Sequence, residues 1–125
     1  MRRVPFRVFS AVTVASTNSA ESEVIDCTNG LPVSLVIQLT SATADPDVKL
    51  QVATSADGTT FGSYDDFAEI IASSLGAFGT SVQLPHTITF AETSFPRAPF
   101  LQFKLTGINS NPSDTIATVT LYVEE

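Results

Sequence analysis

Apolar and polar residues alternate along most of the chain with a period of two. Residues 4–15 place Phe6, Val8, Ser10, Val12 and Val14 on one side and Arg7, Phe9, Ala11 and Thr13 on the other. Similar alternation recurs at 33–40, 48–54, 82–90, 101–106 and 117–123. Because successive side chains of a strand point to opposite faces, each of these segments is predicted to be a β-strand.

Turn residues separate the predicted strands. Asn29-Gly30 and Asp57-Gly58 predict tight turns, since these residue types tolerate positive φ. Thr60-Phe61 is expected to begin the return strand, with Phe61 packing inward. Loops are predicted at 43–46 and 109–114, and a short strand at 23–28 after a break at Thr17–Ala20.

Two segments leave local alternatives open. Because Pro85 lacks a backbone N–H, its strand is predicted to lie at a sheet edge or to contain a bulge. Residues 64–75 are compatible with a short helix, because Phe67, Ile70 and Ile71 have i, i+3, i+4 spacing, but a strand fits there nearly as well.

Short strands separated by turns predict an all-β protein. We expect an antiparallel β-sandwich or jelly roll of about 7–8 strands, with at most one short helix. A length of 125 residues indicates one domain. Residues 1–16 are expected to form an N-terminal arm or first strand, and residues 17–125 the sandwich.

Charge is distributed unevenly along the chain. The net charge is −7, yet Arg2, Arg3 and Arg7 supply half of the cations. From residue 8 onward three cations face thirteen acids, a formal charge of −10. Nucleic-acid binding is not expected, because it depends on Lys and Arg displacing counterions. No run approaches about 18 apolar residues, so no membrane-spanning helix is predicted.

Residue types that carry chemistry are sparse. The single His86 shares a predicted face with Leu84 and Ile88 and is interpreted as a buried or interface residue. The lone Cys27 is interpreted as a small core residue. One His and one Cys cannot complete a zinc site. Acidic clusters at Asp45-Pro46-Asp47 and Asp65-Asp66-Glu69 are interpreted as solvated loops rather than calcium sites. We therefore expect no enzyme activity, cofactor or metal.

The N-terminal segment is the candidate interaction site. It interleaves cations with aromatic side chains, and the candidate interface residues are Arg2, Arg3, Phe6, Arg7 and Phe9. Such an arm could pair with an acidic neighbouring subunit by strand exchange or β-augmentation. The alternative is an ordinary first strand. We interpret the segment as structural rather than as a secretion signal.

Three segments carry a family resemblance. They are the hairpin Ser55–Phe61, the strand entry Ala98-Pro99-Phe100 with the following Leu101–Gly107, and the strand Val119–Val123, which resemble small structural proteins of tailed phages. The resemblance spans roughly residues 24–124. It implies a β-sandwich of the kind found in capsid decoration (cement) proteins and in other small head or tail components.

The resemblance implies a non-enzymatic virion protein. Decoration of the capsid surface by binding the major capsid protein is the leading interpretation, with self-association into a homo-oligomer, a trimer being favoured. Synthesis in the host cytoplasm is then expected. A tail or head-completion component and a carbohydrate-binding adhesin module are the alternatives. The adhesin is disfavoured because the chain has no Trp and only Tyr64 and Tyr122.

Overall fold

The computed structural model describes residues 2–15, 17–41, 47–71, 82–91, 96, 98–108 and 115–125. For residues 40–41, 68–71 and 82–91 the description covers the backbone only. The strands are β1 (Arg3–Thr13), β2 (Ser19–Glu21), β3 (Ile25–Asp26), β4 (Leu31–Ser41), β5 (Asp47–Ser55), β6 (Asp65–Ile71), β7 (Val82–Ala91), β8 (Phe100–Gly107) and β9 (Ile116–Glu124). This part of the chain contains no helix that could cross a membrane.

The strands form two antiparallel sheets packed as a sandwich. One sheet has the order β1-β9-β4-β7 and the other the order β2-β8-β5-β6, with β3 also paired to β8. Apart from the β2–β3 and β5–β6 connections, each successive strand lies in the opposite sheet. This order is that of a jelly roll, which confirms the predicted all-β sandwich.

The centre of the core consists of the inward-facing side chains of the four central strands, and Phe9, Val14 and Ile25 extend it. Its fully buried members from β4, β5, β8 and β9 are Leu35, Ile37, Leu39, Val48, Leu50, Leu101, Phe103, Leu105, Ala117, Val119 and Leu121. The predicted alternation is confirmed in these strands. Phe67 of β6 adds an edge-to-face ring contact with Phe103, with centroids 6.2 Å apart.

Strands β2 and β3 lie end to end along β8. The sequence predicted one strand over 23–28, but the pairing begins earlier and is interrupted after Glu21. Ser22 bridges the interruption, since its backbone N–H donates to the Phe103 carbonyl (2.8 Å) and its hydroxyl accepts the Phe103 N–H (2.9 Å). The chain therefore stays beside β8 throughout this edge.

Irregular pairing changes which residues of β1 face the core. The register with β9 shifts between Arg7 and Phe9 and again between Phe9 and Val12. Ala11 adopts a φ of 49° and donates its N–H to the Thr118 hydroxyl at 3.2 Å. These bulges bury Phe9 and expose Ser10, so the predicted facing of these two residues is wrong.

A bulge in β6 explains the ambiguous segment at 64–75. Residues 65–71 are strand β6, paired with β5, so the helix interpretation is wrong there, and 72–75 lie outside the described residues. Leu50 opposes Ala68 whereas Gln51 opposes Asp66, which leaves Phe67 as an extra residue. This extra residue interrupts the period of two and produces an apparently helical spacing.

The hairpin after β5 is stabilised by Asp57. Its Oδ1 accepts hydrogen bonds from the Ser55 hydroxyl and from the N–H groups of Thr59 and Thr60, each at 2.9 Å. Gly58 has a φ of 80°, as a tight turn at Asp57-Gly58 predicts. The return strand begins at Asp65 rather than at Thr60, and Phe61 is only half-buried.

The placement of Pro85 agrees with its prediction. Within the described residues its strand β7 pairs only with β4 and so lies at a sheet edge. The predicted loops at 43–46 and 109–114 lie outside the described residues.

We expect Ala11→Gly to raise the free energy of unfolding by about 1 kcal/mol, because the left-handed backbone costs an alanine roughly that much and a glycine nothing. Urea denaturation followed by circular dichroism measures the change. Ala20→Gly is the matched control in β2, where φ is negative, and should lower stability by about 0.5–1 kcal/mol. Equal losses in both variants would contradict the strained conformation of Ala11.

Candidate functional site: a groove between two sheet edges

Strands β1 and β2 are edge strands of different sheets. Strand β1 pairs with β9 and β2 with β8, and within the described residues neither has a second strand neighbour. Each edge therefore presents backbone N–H and C=O groups that can pair with another chain. The two edges border a groove of about 580 Å³.

The groove is lined by residues of both edges. Its lining residues are Arg7, Val8, Phe9, Ser10, Val12, Glu21, Ser22 and Glu23. Val8 and Phe9 are buried, so they belong to the floor. Arg7 and Ser10 are exposed on the β1 wall, and Glu21 and Glu23 are exposed on the opposite wall.

The structure places the candidate interface residues in three environments: ion pairs with the end of β9, the core, and the groove. Arg2 pairs with Glu125 at 2.8 Å and Arg3 with Glu124 at 3.4 Å, which ties the start of β1 to the end of β9. Phe9 is 3% exposed and therefore lies in the core.

Phe6 is partly buried and packs against the core. The aromatic residues thus contribute to folding, and Arg7 remains as the exposed cation at the groove.

Arg7 differs from the other described cations in having no intramolecular partner. Arg2 and Arg3 are paired as above, and Lys49 lies 3.5 Å from Asp66. Lys104 lies 5.6 Å from the centre of the Tyr64 ring. Among the Lys and Arg residues that the structure describes, only Arg7 lacks such a contact.

The acidic wall was not found from the sequence. Glu21 and Glu23 flank the buried Ser22 at a spacing of two, which is the only local signal that both face outward. Glu21 accepts a hydrogen bond from the Tyr64 hydroxyl at 2.8 Å. The Glu23 carboxylate has no partner among the described residues, and only its backbone carbonyl is bonded, by the Ser22 hydroxyl.

Tyr64 lies across the outer face of the second sheet. Its hydroxyl donates to Glu21 and its ring contacts Lys104, so it joins β2 to β8. Burial, followed by the hydrogen bond to Glu21, raises the pKa of Tyr64 to about 12. Because both ends of the side chain are engaged within the protein, Tyr64 is poorly placed to stack against a sugar.

Cys27 lines a separate cleft of about 370 Å³ at one end of the sandwich. The cleft is bordered by Leu31, Pro32, Pro96 and Pro99. Desolvation of the thiol, with a smaller contribution from the charge of Asp26, raises the pKa of Cys27 to about 11. A thiol in this state is a poor nucleophile near neutral pH.

The remaining candidate chemistry is dispersed. His86 lies in β7 opposite Leu39, with its side chain outside the description. Asp66 accepts a hydrogen bond from Gln51 at 2.9 Å, while Asp45 and Pro46 lie outside the described residues. Within the described ranges, no three His, Cys, Asp or Glu residues are grouped to hold a metal ion.

Solved structures similar to this chain include viral capsid proteins. The VP2 subviral particle of infectious bursal disease virus matches 98% of this chain and 32% of its own length, with a TM-score of 0.53 and 9% identity. The T13 particle of the same virus matches 98% and 31%, with a TM-score of 0.52 and 8% identity.

A weaker likeness, with a TM-score of 0.48 and 14% identity, is found to the C-terminal extracellular domain of Mycobacterium tuberculosis EmbC, covering 98% of this chain and 42% of that one. No protein-family model matches the chain, and no curated protein is significantly similar to it. The chain spans about a third of the VP2 proteins. At these identities the likeness to VP2 shows the fold alone.

We expect Tyr64 to remain un-ionised at pH 11, because desolvation and the hydrogen bond to Glu21 favour the neutral phenol. Tyr122→Phe leaves Tyr64 as the only tyrosine, so absorbance at 295 nm reports it directly. The same variant in denaturing urea should be largely ionised at pH 11, since an unperturbed tyrosine has a pKa of about 10. Circular dichroism verifies that the first sample is folded. Half-ionisation near pH 10 in the folded protein would contradict the contact.

Cys27 is expected to resist alkylation by iodoacetamide at pH 8 in the folded protein and to react rapidly in urea. Burial limits access to the thiol and keeps it protonated. Since the folded pKa exceeds the unfolded one, this group's contribution to stability is present below about pH 9 and decreases between about pH 9 and 11. The control Cys27→Ser with Asn29→Cys moves the thiol to an exposed site and should react in both states. Mass spectrometry measures both reactions.

Proposed function

We propose that the protein is a non-enzymatic structural component of a virus particle, and specifically a capsid decoration protein that binds the major capsid protein. The observation that carries this proposal is the jelly-roll topology, with its likeness to VP2 across 98% of the chain. The matched VP2 structures are described as assembled particles. The resemblance of Ser55–Phe61 and Val119–Val123 to small tailed-phage proteins supports decoration within that class.

The physical properties of the domain are compatible with repeated assembly. A core shared by two sheets gives a rigid unit, and open edges offer surfaces for neighbouring subunits. The acidic body disfavours a role in packaging nucleic acid. We propose self-association into a homo-oligomer, with a trimer favoured by the phage resemblance.

A tail or head-completion component is the second candidate, because the same sequence resemblance extends to those proteins. A carbohydrate-binding adhesin receives less support. The intramolecular contacts of Tyr64 leave it poorly available as an exposed stacking platform.

The test is immunogold electron microscopy of particles. Virus particles are prepared from a culture in which the chain is produced and are banded in a density gradient. Antibody raised against the recombinant chain is then applied to them. We expect gold label over the head surface, and the chain in the particle band at a constant ratio to the major capsid protein. Antibody pre-absorbed with the recombinant chain is the control and should give no label.

Other labelling patterns separate the alternatives. Label confined to the tail or to one vertex would overturn decoration and favour the tail or head-completion component. Chain found only in the soluble fraction at the top of the gradient would contradict a virion role.

A further inference from the structure

We propose that the groove between β1 and β2 is the surface through which copies of this chain associate, with Arg7 of one copy pairing with Glu23 of the next. The inference rests on the self-association included in the proposed function and identifies its contact. The groove has a volume of about 580 Å³ and lies between two open sheet edges.

The charges on the two walls are complementary to a second copy. Arg7 is exposed on the β1 wall, and Glu21 and Glu23 are exposed on the β2 wall. A rotation axis running along the opening of the groove places the β1 wall of one copy against the β2 wall of the next. Each contact in such a ring then joins a cation to a carboxylate.

Neither member of the proposed pair is satisfied within its own chain. Among the described residues Arg7 has no carboxylate within ion-pairing distance, and Glu23 uses only its backbone carbonyl. By contrast, Glu21 already accepts the Tyr64 hydroxyl at 2.8 Å. The pair that a neighbouring copy can complete is therefore Arg7 with Glu23.

The backbone of β1 is compatible with the same occupant. The stretch Arg3–Arg7 of β1 keeps a regular register with β9, and its other side is open within the described part of the chain. The bulges between Arg7 and Val12 interrupt the edge beyond this point, which limits uncontrolled strand addition. The regular stretch ends at Arg7, where the groove begins.

The charge of the chain disfavours some occupants of the groove and makes association of copies depend on specific ion pairs. Residues 8–125 carry a formal charge of −10, so copies repel one another unless a specific cation meets a specific acid. Arg7 is the unpaired cation of the described chain, and the same acidic surface disfavours nucleic acid and anionic membranes. An exposed ion pair of this kind is screened by salt.

The experiment compares self-association by sedimentation equilibrium at low and high salt. We expect the wild-type chain to form a closed oligomer, and each variant is compared with it at the same salt, because salt screens both the ion pair and the repulsion between the acidic copies. Arg7→Glu should raise the dissociation constant at least tenfold at low salt. The double variant Arg7→Glu with Glu23→Arg should recover most of the association, because each contact again joins opposite charges.

Lys49→Glu is the matched control. It makes the same charge change on the outer face of the second sheet, away from the groove, and should leave association within about threefold of the wild type. Circular dichroism melting establishes that each variant is folded. If Arg7→Glu does not fold, Arg7→Gln replaces it, with weakened association expected.

Three results would overturn the inference. The first is a wild-type chain that stays monomeric at all concentrations. The second is unchanged association of folded Arg7→Glu. The third is loss of particle binding by Arg7→Glu with intact self-association, which would identify a different acidic partner for Arg7. None of these alters immunogold labelling of particles that carry the wild-type protein, so the inference can fail while the virion role stands. A monomeric wild-type chain would overturn the proposed self-association as well. If the wild-type chain associates through the groove but gives no label over the head, the decoration role fails while the groove contact stands.

Discussion

Face-to-face packing of two antiparallel sheets is the constraint on which the rest of the structure depends. Each central strand must supply an apolar side chain at every second position, because one of its faces is buried against the other sheet. Leu35 and Ile37 of β4, Val119 and Leu121 of β9, and Phe103 of β8 meet this requirement and are fully buried. Their strands have a hydrogen-bonded neighbour on both sides, so most of their backbone polar groups can be satisfied within the sheets.

Several of the irregular features lie in the edge strands. Pro85 lies in an edge strand, where a missing N–H costs no pairing with an inner neighbour. Strand β1 contains bulges on either side of Phe9, and β2 and β3 are interrupted at Ser22. The edge strands therefore have incomplete backbone pairing and are held in place by individual side chains, such as Phe9 in the core and Ser22 beside β8.

The cations of the N-terminal segment divide according to this geometry. Arg2 and Arg3 lie opposite the end of β9 and are neutralised by Glu125 and Glu124. Arg7 lies where regular pairing of β1 ends, beside the acidic wall formed by Glu21 and Glu23. The three arginines that cluster in the sequence therefore have two different environments. Arg2 and Arg3 join the two ends of the chain, and Arg7 is a cation at an open groove.

The sequence by itself determined the fold class and the inward faces of β4, β5, β8 and β9, because alternation in a fully paired strand is a local property of the chain. It misplaced Phe9 and Ser10, and it left residues 65–71 ambiguous, because a bulge adds one residue and reverses the alternation beyond it.

It identified Arg7 as a candidate contact residue but not the acidic wall of Glu21 and Glu23 that borders the same groove. Only the tertiary structure decided that β1 and β2 border the same groove, since the adjacency of two edges depends on how the sheets pack through β8 and β9. That packing joins residues distant in the chain, so no local pattern records it.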